Sequence, residues 1–184
     1  MIVLIMNTPN FLFFVFKMKP FFFVLLVVLT ACSSVPQVPV VNNHLTGVTY
    51  QGRGAAAGPM LVGAMGPVGI AVGFAIDEGI AKEIGSALKD SQAQGKKEVA
   101  AVIAELYPEA ELVKLLSLDF KAQRGNDDFA FATVELLLRS KENERQLCFL
   151  TNPGNLLALK ETSLSWSLIA ESISASRVCK QSTD

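Results

Sequence analysis

The chain has 184 residues, which is enough for one domain of ordinary size together with targeting and linker segments. Its 16 basic and 17 acidic residues nearly cancel, which argues against a broad basic surface for nucleic acid. Hydrophobic residues make up 51% of the chain, at the upper end for a soluble protein, and they are concentrated in residues 11–31 and 55–76.

Residues 1–31 have the features of a secretory leader. From Met18 the sequence reads MKPFFFVLLVVLTAC, with a basic start, an apolar run from Phe21 to Leu29 and small residues before Cys32. The apolar run is short for a membrane span. We therefore expect Met18 to be the true start, and the preceding seventeen residues to be an upstream extension of the reading frame.

The end of this leader, Leu29-Thr30-Ala31-Cys32, resembles the lipobox of bacterial lipoproteins. The resemblance implies that the Cys32 thiol carries a diacylglyceryl group, that the leader is cut before Cys32, and that the new amino terminus is acylated. Several acyl chains together anchor a protein stably. Ser33 in place of Asp resembles the sorting pattern for the outer membrane, facing the periplasm. The alternative is a transmembrane anchor in which Cys32 is incidental.

Residues 32–53 are predicted to form a lipidated flexible tether. They contain Pro36, Pro39 and Gly47 and no helical periodicity. The only histidine of the chain, His44, lies here, and we interpret it as a solvated polar residue. If His44 is solvated, the chain has no histidine for the catalytic sets that use one as a base.

Residues 54–76 form an apolar, glycine-rich segment. No charged residue occurs between Ala55 and Ile76, so a helix there would be long enough to cross a bilayer core of about 30 Å. GxxxG spacing places small residues on one helix face, where two backbones can approach closely in an apolar medium. The residues with this spacing are Gly54, Gly58, Gly69 and Gly73.

Two prolines, Pro59 and Pro67, predict a break near the middle of this segment. The segment resembles the glycine zippers of outer-membrane and surface-antigen lipoproteins, including surface-exclusion lipoproteins of conjugative plasmids. This resemblance implies membrane insertion or helix-mediated self-association. The alternative is a Gly/Ala-rich hairpin packed on the protein's own domain, or a mobile loop.

Residues 77–184 are predicted to form an α+β domain in the envelope. Apolar residues at every fourth position predict an amphipathic helix that begins at Asp77; they are Ile76, Ile80, Ile84 and Leu88. A second helical stripe contains Val99, Val102, Ile103 and Leu106 and ends at Tyr107-Pro108.

The distal half of this domain has the alternation typical of strands. The predicted strands are Leu116–Lys121, Phe129–Leu138, Gln146–Thr151 and Leu156–Lys160. Turns are expected at Arg124–Asp128 and at Asn152–Asn155, where Gly154 would supply the positive φ of a type II turn.

A final helix over Ser163–Arg177 would bury one apolar side, which consists of Trp166, Ile169, Ala170 and Ile173. An antiparallel sheet of three or four strands covered by helices buries all of these stripes. We therefore predict an α+β fold.

Two cysteines remain besides Cys32. In an oxidising compartment Cys148 and Cys179 are most simply paired in a disulfide, and the alternative is a reactive thiol. Asp127 and Asp128 lie in a turn, where a Ca²⁺ role would need more oxygen ligands. We find no catalytic set, no metal ligands and no cofactor motif.

The sequence thus favours a non-enzymatic, lipid-anchored envelope protein with a structural, assembly or protein-interaction role. Its partners would be the membrane, another envelope protein or further copies of itself through the glycine-rich segment, and not nucleic acid. The alternative function is a periplasmic binding module for a small apolar ligand or lipid.

Overall fold

The structure is a computed structural model, and it describes residues 38–43 and 47–179. The leader, Met18, the lipobox with Cys32, and His44 lie outside the described residues. The helices are α1 (Arg53–Met65), α2 (Val68–Asp90), α3 (Gln92–Leu106), α4 (Leu156–Glu161) and α5 (Leu164–Ser174). The strands are β1 (Val40–Asn43), β2 (Val48–Gln51), β3 (Leu112–Gln123), β4 (Asn126–Arg139), β5 (Glu144–Leu150) and β6 (Gly154–Asn155).

The fold is α+β, and its sheet is mixed. Strands β3, β4 and β5 form an antiparallel meander, as the alternation predicts. Strands β1 and β2 both pair in parallel with β3, one after the other along the same edge. The purely antiparallel sheet that the sequence predicts is therefore wrong, because two strands from the amino-terminal side complete the edge.

These two strands lie in the segment expected to be a flexible tether. Val40 pairs with Leu112, and the β2 residue Tyr50 pairs with Phe120. Tyr50 is buried, and its ring belongs to the hydrophobic core. The described part of this segment thus differs from the expectation, since strands of four residues carry too short a pattern to be recognised from sequence.

The hydrophobic core lies between one face of the sheet and the helices. Helix α2 contributes Ile80, Ile84 and Leu88, as its periodicity predicts, whereas Ile76 is exposed. The alternate residues of β4 that were predicted to share a face are buried; they are Val134, Leu136 and Leu138. The apolar side of the last helix is likewise buried, with Trp166, Ile169, Ala170 and Ile173.

Strand β3 contains an irregularity that sequence alternation does not reveal. Pairing with β4 shifts between Leu115 and Ser117, so Leu116 is an extra residue in the strand. As a result, Leu115 and Leu118 are both buried against the helices, although three positions separate them. The bulge lets β3 keep its apolar face inward along its whole length.

The predicted fourth strand, Leu156–Lys160, is wrong, because these residues form α4. The side chain of Asn155 accepts a hydrogen bond of 3.1 Å from the Ala158 amide and caps that helix. Gly154 pairs with Ala130 of β4 as part of β6, and its φ is not positive, so the type II turn is also wrong. The predicted turn at Arg124–Asp128 is shorter than expected: Arg124 and Gly125 form it, with φ of 77° at Gly125, whereas Asp127 and Asp128 lie in β4.

Helix α3 approaches α5 at a glycine. A Cβ atom added to Gly95 would overlap the indole ring of Trp166, the largest fully buried side chain among the described residues. The indole Nε1 donates a hydrogen bond of 2.9 Å to the carbonyl oxygen of Leu88. The ring is therefore fixed between α2 and α3 and has no room to move aside.

Gly95→Ala is expected to lower the free energy of unfolding by about 1–3 kcal/mol, because overpacking forces Trp166 from its site. Gly79→Ala is the matched control: nothing lies within 4 Å of its added methyl group, and it should raise stability by about 0.5–1 kcal/mol. Urea unfolding of both variants checks this. Equal effects of the two substitutions would contradict the packing at Trp166.

Candidate functional site

Helices α1 and α2 form an antiparallel hairpin out of the apolar glycine-rich segment. The turn lies at Gly66, whose φ is 62° and whose amide donates a hydrogen bond of 2.9 Å to the carbonyl of Val62. Pro67 follows and precedes α2. The predicted break is therefore present at Pro67, whereas Pro59 lies inside α1.

The four glycines with GxxxG spacing are all buried, and they lie where the two helices meet. A Cβ on Gly54 would overlap the carbonyl oxygen of Gly73. A Cβ on Gly69 would lie 2.7 Å from the carbonyl oxygen of Leu61. Gly58 lies close to both Ile70 and Gly73. The small residues thus bring the two backbones of one chain into contact.

The outer surface of the hairpin is apolar on all sides. From Gly54 to Ile76 no side chain carries a charge or a hydrogen-bonding group. Met60 is 82% exposed and Phe74 is 67% exposed. The remaining large exposed side chains of the hairpin are Val62, Met65, Val68, Ile70 and Ile76. Single exposed apolar residues are ordinary, but seven on one hairpin are unusual for a protein surface that faces water.

An open apolar groove of about 500 Å³ runs along the contact between the helices. Its lining residues are Gly54, Gly58, Pro59, Val62, Ile70 and Phe74. The groove exists because glycines leave the helix contact without side chains, while the flanking aliphatic and aromatic side chains form its walls. It can hold alkyl or aromatic groups and offers no side chain for chemistry on a substrate.

A buried carboxylate closes the base of the hairpin. Asp77 is only 5% exposed, and its two oxygens accept hydrogen bonds from the Gly54 amide at 2.7 Å and the Gly52 amide at 3.3 Å. Gly52 is the N-cap of α1 and has no side chain with which to cap the helix itself. Asp77 therefore satisfies free amides of α1 and places negative charge at the positive end of its dipole.

Charged pairs surround this base on its solvent side. Arg53 Nη2 lies 2.6 Å from Asp128 Oδ1, which joins the start of α1 to the beginning of β4. Lys82 Nζ lies 2.9 Å from Glu78 Oε1 on α2. Both pairs are exposed, so each contributes little stability. They do mark a sharp boundary between the uncharged hairpin and a charged surface.

Tyr50 lies beside Gly52 at the end of β2. Burial raises the pKa of its hydroxyl above the ordinary value, and the negative charge of Asp77 raises this pKa further. Tyr50 and Asp77 thus place two acidic groups at the junction between the hairpin and the sheet. The neutral tyrosine is therefore favoured in the folded protein.

The predicted cysteine pair is present. A disulfide joins Cys148 of β5 to Cys179, with 5.4 Å between the Cα atoms. The Cys179 amide donates a hydrogen bond of 3.0 Å to the Cys148 carbonyl, so the chain after α5 is held against the sheet. With a sequence separation of 31 between the cysteines, chain entropy alone would give about 3.5–4 kcal/mol of stability.

Within residues 38–43 and 47–179 no helix combines the length and hydropathy needed to cross a membrane. No group of three or more His, Cys, Asp or Glu side chains that could hold a metal ion occurs in the part of the chain that the structure describes. The predicted anchoring residue, Cys32, lies outside these residues.

No protein-family model, curated protein or solved structure matches this chain.

Sequence reasoning identified the glycines but missed the two residues at the hairpin base. Asp77 is the first charged residue after the uncharged run, which is the one signal that could have singled it out. Nothing in the local sequence of Tyr50 indicates burial, because its environment is built by residues far along the chain.

Gly73→Ala is expected to separate α1 from α2, because the new methyl group would overlap the carbonyl of Gly54. Amide hydrogen exchange in α1 should become faster, while exchange in β4 stays unchanged. Gly63→Ala is the matched control, since nothing lies within 4 Å of its added methyl group. Unchanged protection of α1 in Gly73→Ala would refute close contact between the two helices.

Stability is expected to fall as pH rises above about 10, the ordinary pKa of tyrosine. The unfolded chain releases the Tyr50 proton there, while the folded chain keeps it until its raised pKa is reached. Tyr50→Phe should lessen this loss, and Tyr107→Phe serves as the control. Urea midpoints at pH 8 and at pH values above 10 test this; identical alkaline losses in wild type and Tyr50→Phe would disprove it.

Proposed function

We propose that this protein is a non-enzymatic, lipid-anchored envelope protein that uses the α1–α2 hairpin to contact a membrane or an envelope partner. The observation that carries the proposal is the apolar surface of the hairpin, which is uncharged from Gly54 to Ile76 and exposed at Met60 and Phe74. Its role would be assembly or structural support of a larger envelope complex.

The physical argument rests on solvation. A helix that is apolar all round is stable when lipid or protein covers it, because water solvates such a surface poorly. Close packing at Gly54 and Gly73 leaves the larger side chains pointing outward. The backbones of α1 and α2 are therefore buried where the helices meet, and the exposed side chains are available to a partner.

The leader and the lipobox support the proposed location. Acylation of Cys32 would hold the protein at a bilayer, and Ser33 favours the outer membrane facing the periplasm. The disulfide between Cys148 and Cys179 suits an oxidising compartment. No constellation of a nucleophile and a base is apparent in the sequence, which supports a role in binding.

One observation favours a second candidate function, a binding module for a small apolar ligand or lipid. The groove between α1 and α2 has a volume of about 500 Å³, within the range of small-molecule sites. Ile70 and Phe74 would contact such a ligand.

Acylation is tested in the native host by labelling with a radioactive fatty acid and by flotation of membranes. Wild type should carry the label and float with the membranes, whereas Cys32→Ser should lose the label. Cys179→Ser is the control, because it also removes a thiol and should keep the label. A native product that retains its leader and is released into buffer without detergent would overturn the proposal.

The two candidate functions differ in their response to a fluorescent fatty acid. The leading proposal predicts no saturable one-to-one binding in detergent-free buffer. The second candidate predicts such binding, with a loss of about tenfold or more in Ile70→Lys because the charge would be buried against the ligand. Leu157→Lys, which adds the same charge at an exposed apolar site on α4, is the control and should bind like wild type.

A further inference from the structure

The two elements that would attach this protein to a membrane leave the domain at opposite ends of β3. Val40, the first residue of β1, pairs with Leu112, and Gln51, the last residue of β2, pairs with Lys121. Nine residues of an extended strand separate these two positions on β3, which is about 30 Å. The tether to Cys32 enters at one end, and the hairpin begins at the other.

The hairpin also points away from the sheet. Asp77 of α2 lies beside Gly52, and Gly85 of α2 lies beside Val48, so α2 runs back along β2 as its residue numbers rise. The residues of α2 before Asp77 therefore extend past the end of the sheet. From Val68 to Asp77 this extension is about 14 Å.

The covalent length of the tether limits how the domain can stand on a membrane. Val40 is eight positions after Cys32, and a fully extended chain of that length spans at most about 28 Å. If the hairpin entered the bilayer upright, Val40 would lie about 30 Å above the lipid surface. An acylated Cys32 could then barely reach the same leaflet, even with the tether fully extended.

Apolar residues are exposed at the tether end as well. Val38 is 67% exposed and Val40 is 66% exposed. Leu106, the last residue of α3, is exposed too, and α3 packs on β1. The opposite edge of the sheet, β5, begins instead with the exposed polar residues Glu144, Arg145 and Gln146. The β1–β2 edge exposes the polar residues Asn42, Thr49 and Gln51, and apolar surface lies beyond each end of it, at Val38 and Val40 on one side and in the hairpin on the other.

We propose that the domain lies on its anchoring membrane with its strands parallel to the bilayer plane. The lipid-facing surface consists of the hairpin, Val38 and Val40, and its partner is the leaflet that holds the acyl chains of Cys32. This inference rests on the proposed function, because it takes acylation of Cys32 and lipid contact by the hairpin as given. Edge strand β5 faces away from the lipid.

The test uses the acylated protein in vesicles of phosphatidylethanolamine and phosphatidylglycerol. A single environment-sensitive fluorophore is placed at Val40→Cys, Phe74→Cys or Arg145→Cys, all three at exposed positions. Nitroxide-bearing lipids should quench the first two about threefold more strongly than the third, because residues at an interface lie about 5–10 Å deep at the headgroup boundary. The native cysteines do not react, since Cys32 is acylated and the others form the disulfide.

The other outcomes distinguish failure of the proposed orientation from failure of the proposed function. Quenching at Phe74→Cys alone would indicate upright insertion and overturn the inference, while the proposed function stands. Quenching at Val40→Cys alone would show that the hairpin points away from the lipid and would likewise overturn it. Equal quenching at all three positions would rule out a defined orientation. If wild-type protein does not float with the vesicles, the proposed function itself is wrong.

Discussion

Direct backbone contact between α1 and α2 is the constraint from which the apolar surface of the hairpin and its proposed role follow. It requires glycine at both sides of the contact, because a methyl group at Gly54 or Gly73 would occupy the position of the other's backbone. Where the helices meet there, most of the larger side chains of the segment face outward. Asp77 completes the arrangement, since its carboxylate binds the free amides at the start of α1 and so ties the hairpin to the sheet. A surface that is apolar on all sides follows directly from this packing.

The molecule therefore divides its hydrophobic residues between two uses. In the domain, α2, α3 and α5 bury their apolar sides against the sheet around Trp166, and the disulfide between Cys148 and Cys179 fixes the end of the chain. In the hairpin, most of the large apolar side chains are exposed among the residues that the structure describes. The same helix serves both purposes: α2 buries its apolar side from Ile80 onward, whereas before Asp77 only Gly69 and Gly73 are buried. That division is the basis of the proposed role in attachment.

Periodicity allowed the core helices and the antiparallel meander to be predicted, because long elements repeat their pattern several times. It failed where elements are short: β2 has four residues and owes its burial to pairing with β3, which no local pattern records. The strand prediction for residues 156–160 failed for another reason. These residues form a helix that is capped by the side chain of Asn155. At the candidate site, GxxxG spacing identified the glycines but not which surface they face. The partnership of Asp77 with Gly54, 23 residues away, can be seen only in three dimensions.

The most direct measurement removes residues 54–73 from the unacylated Cys32→Ser chain and records its urea unfolding transition. Since Gly54 and Gly73 are in contact, Arg53 can be joined to Phe74 without displacing the sheet. If the hairpin is an attachment device on a self-sufficient domain, the shortened chain will form the disulfide, unfold cooperatively and lose its affinity for vesicles. A shortened chain that no longer unfolds cooperatively would show instead that the hairpin belongs to the folding core, which contradicts this account.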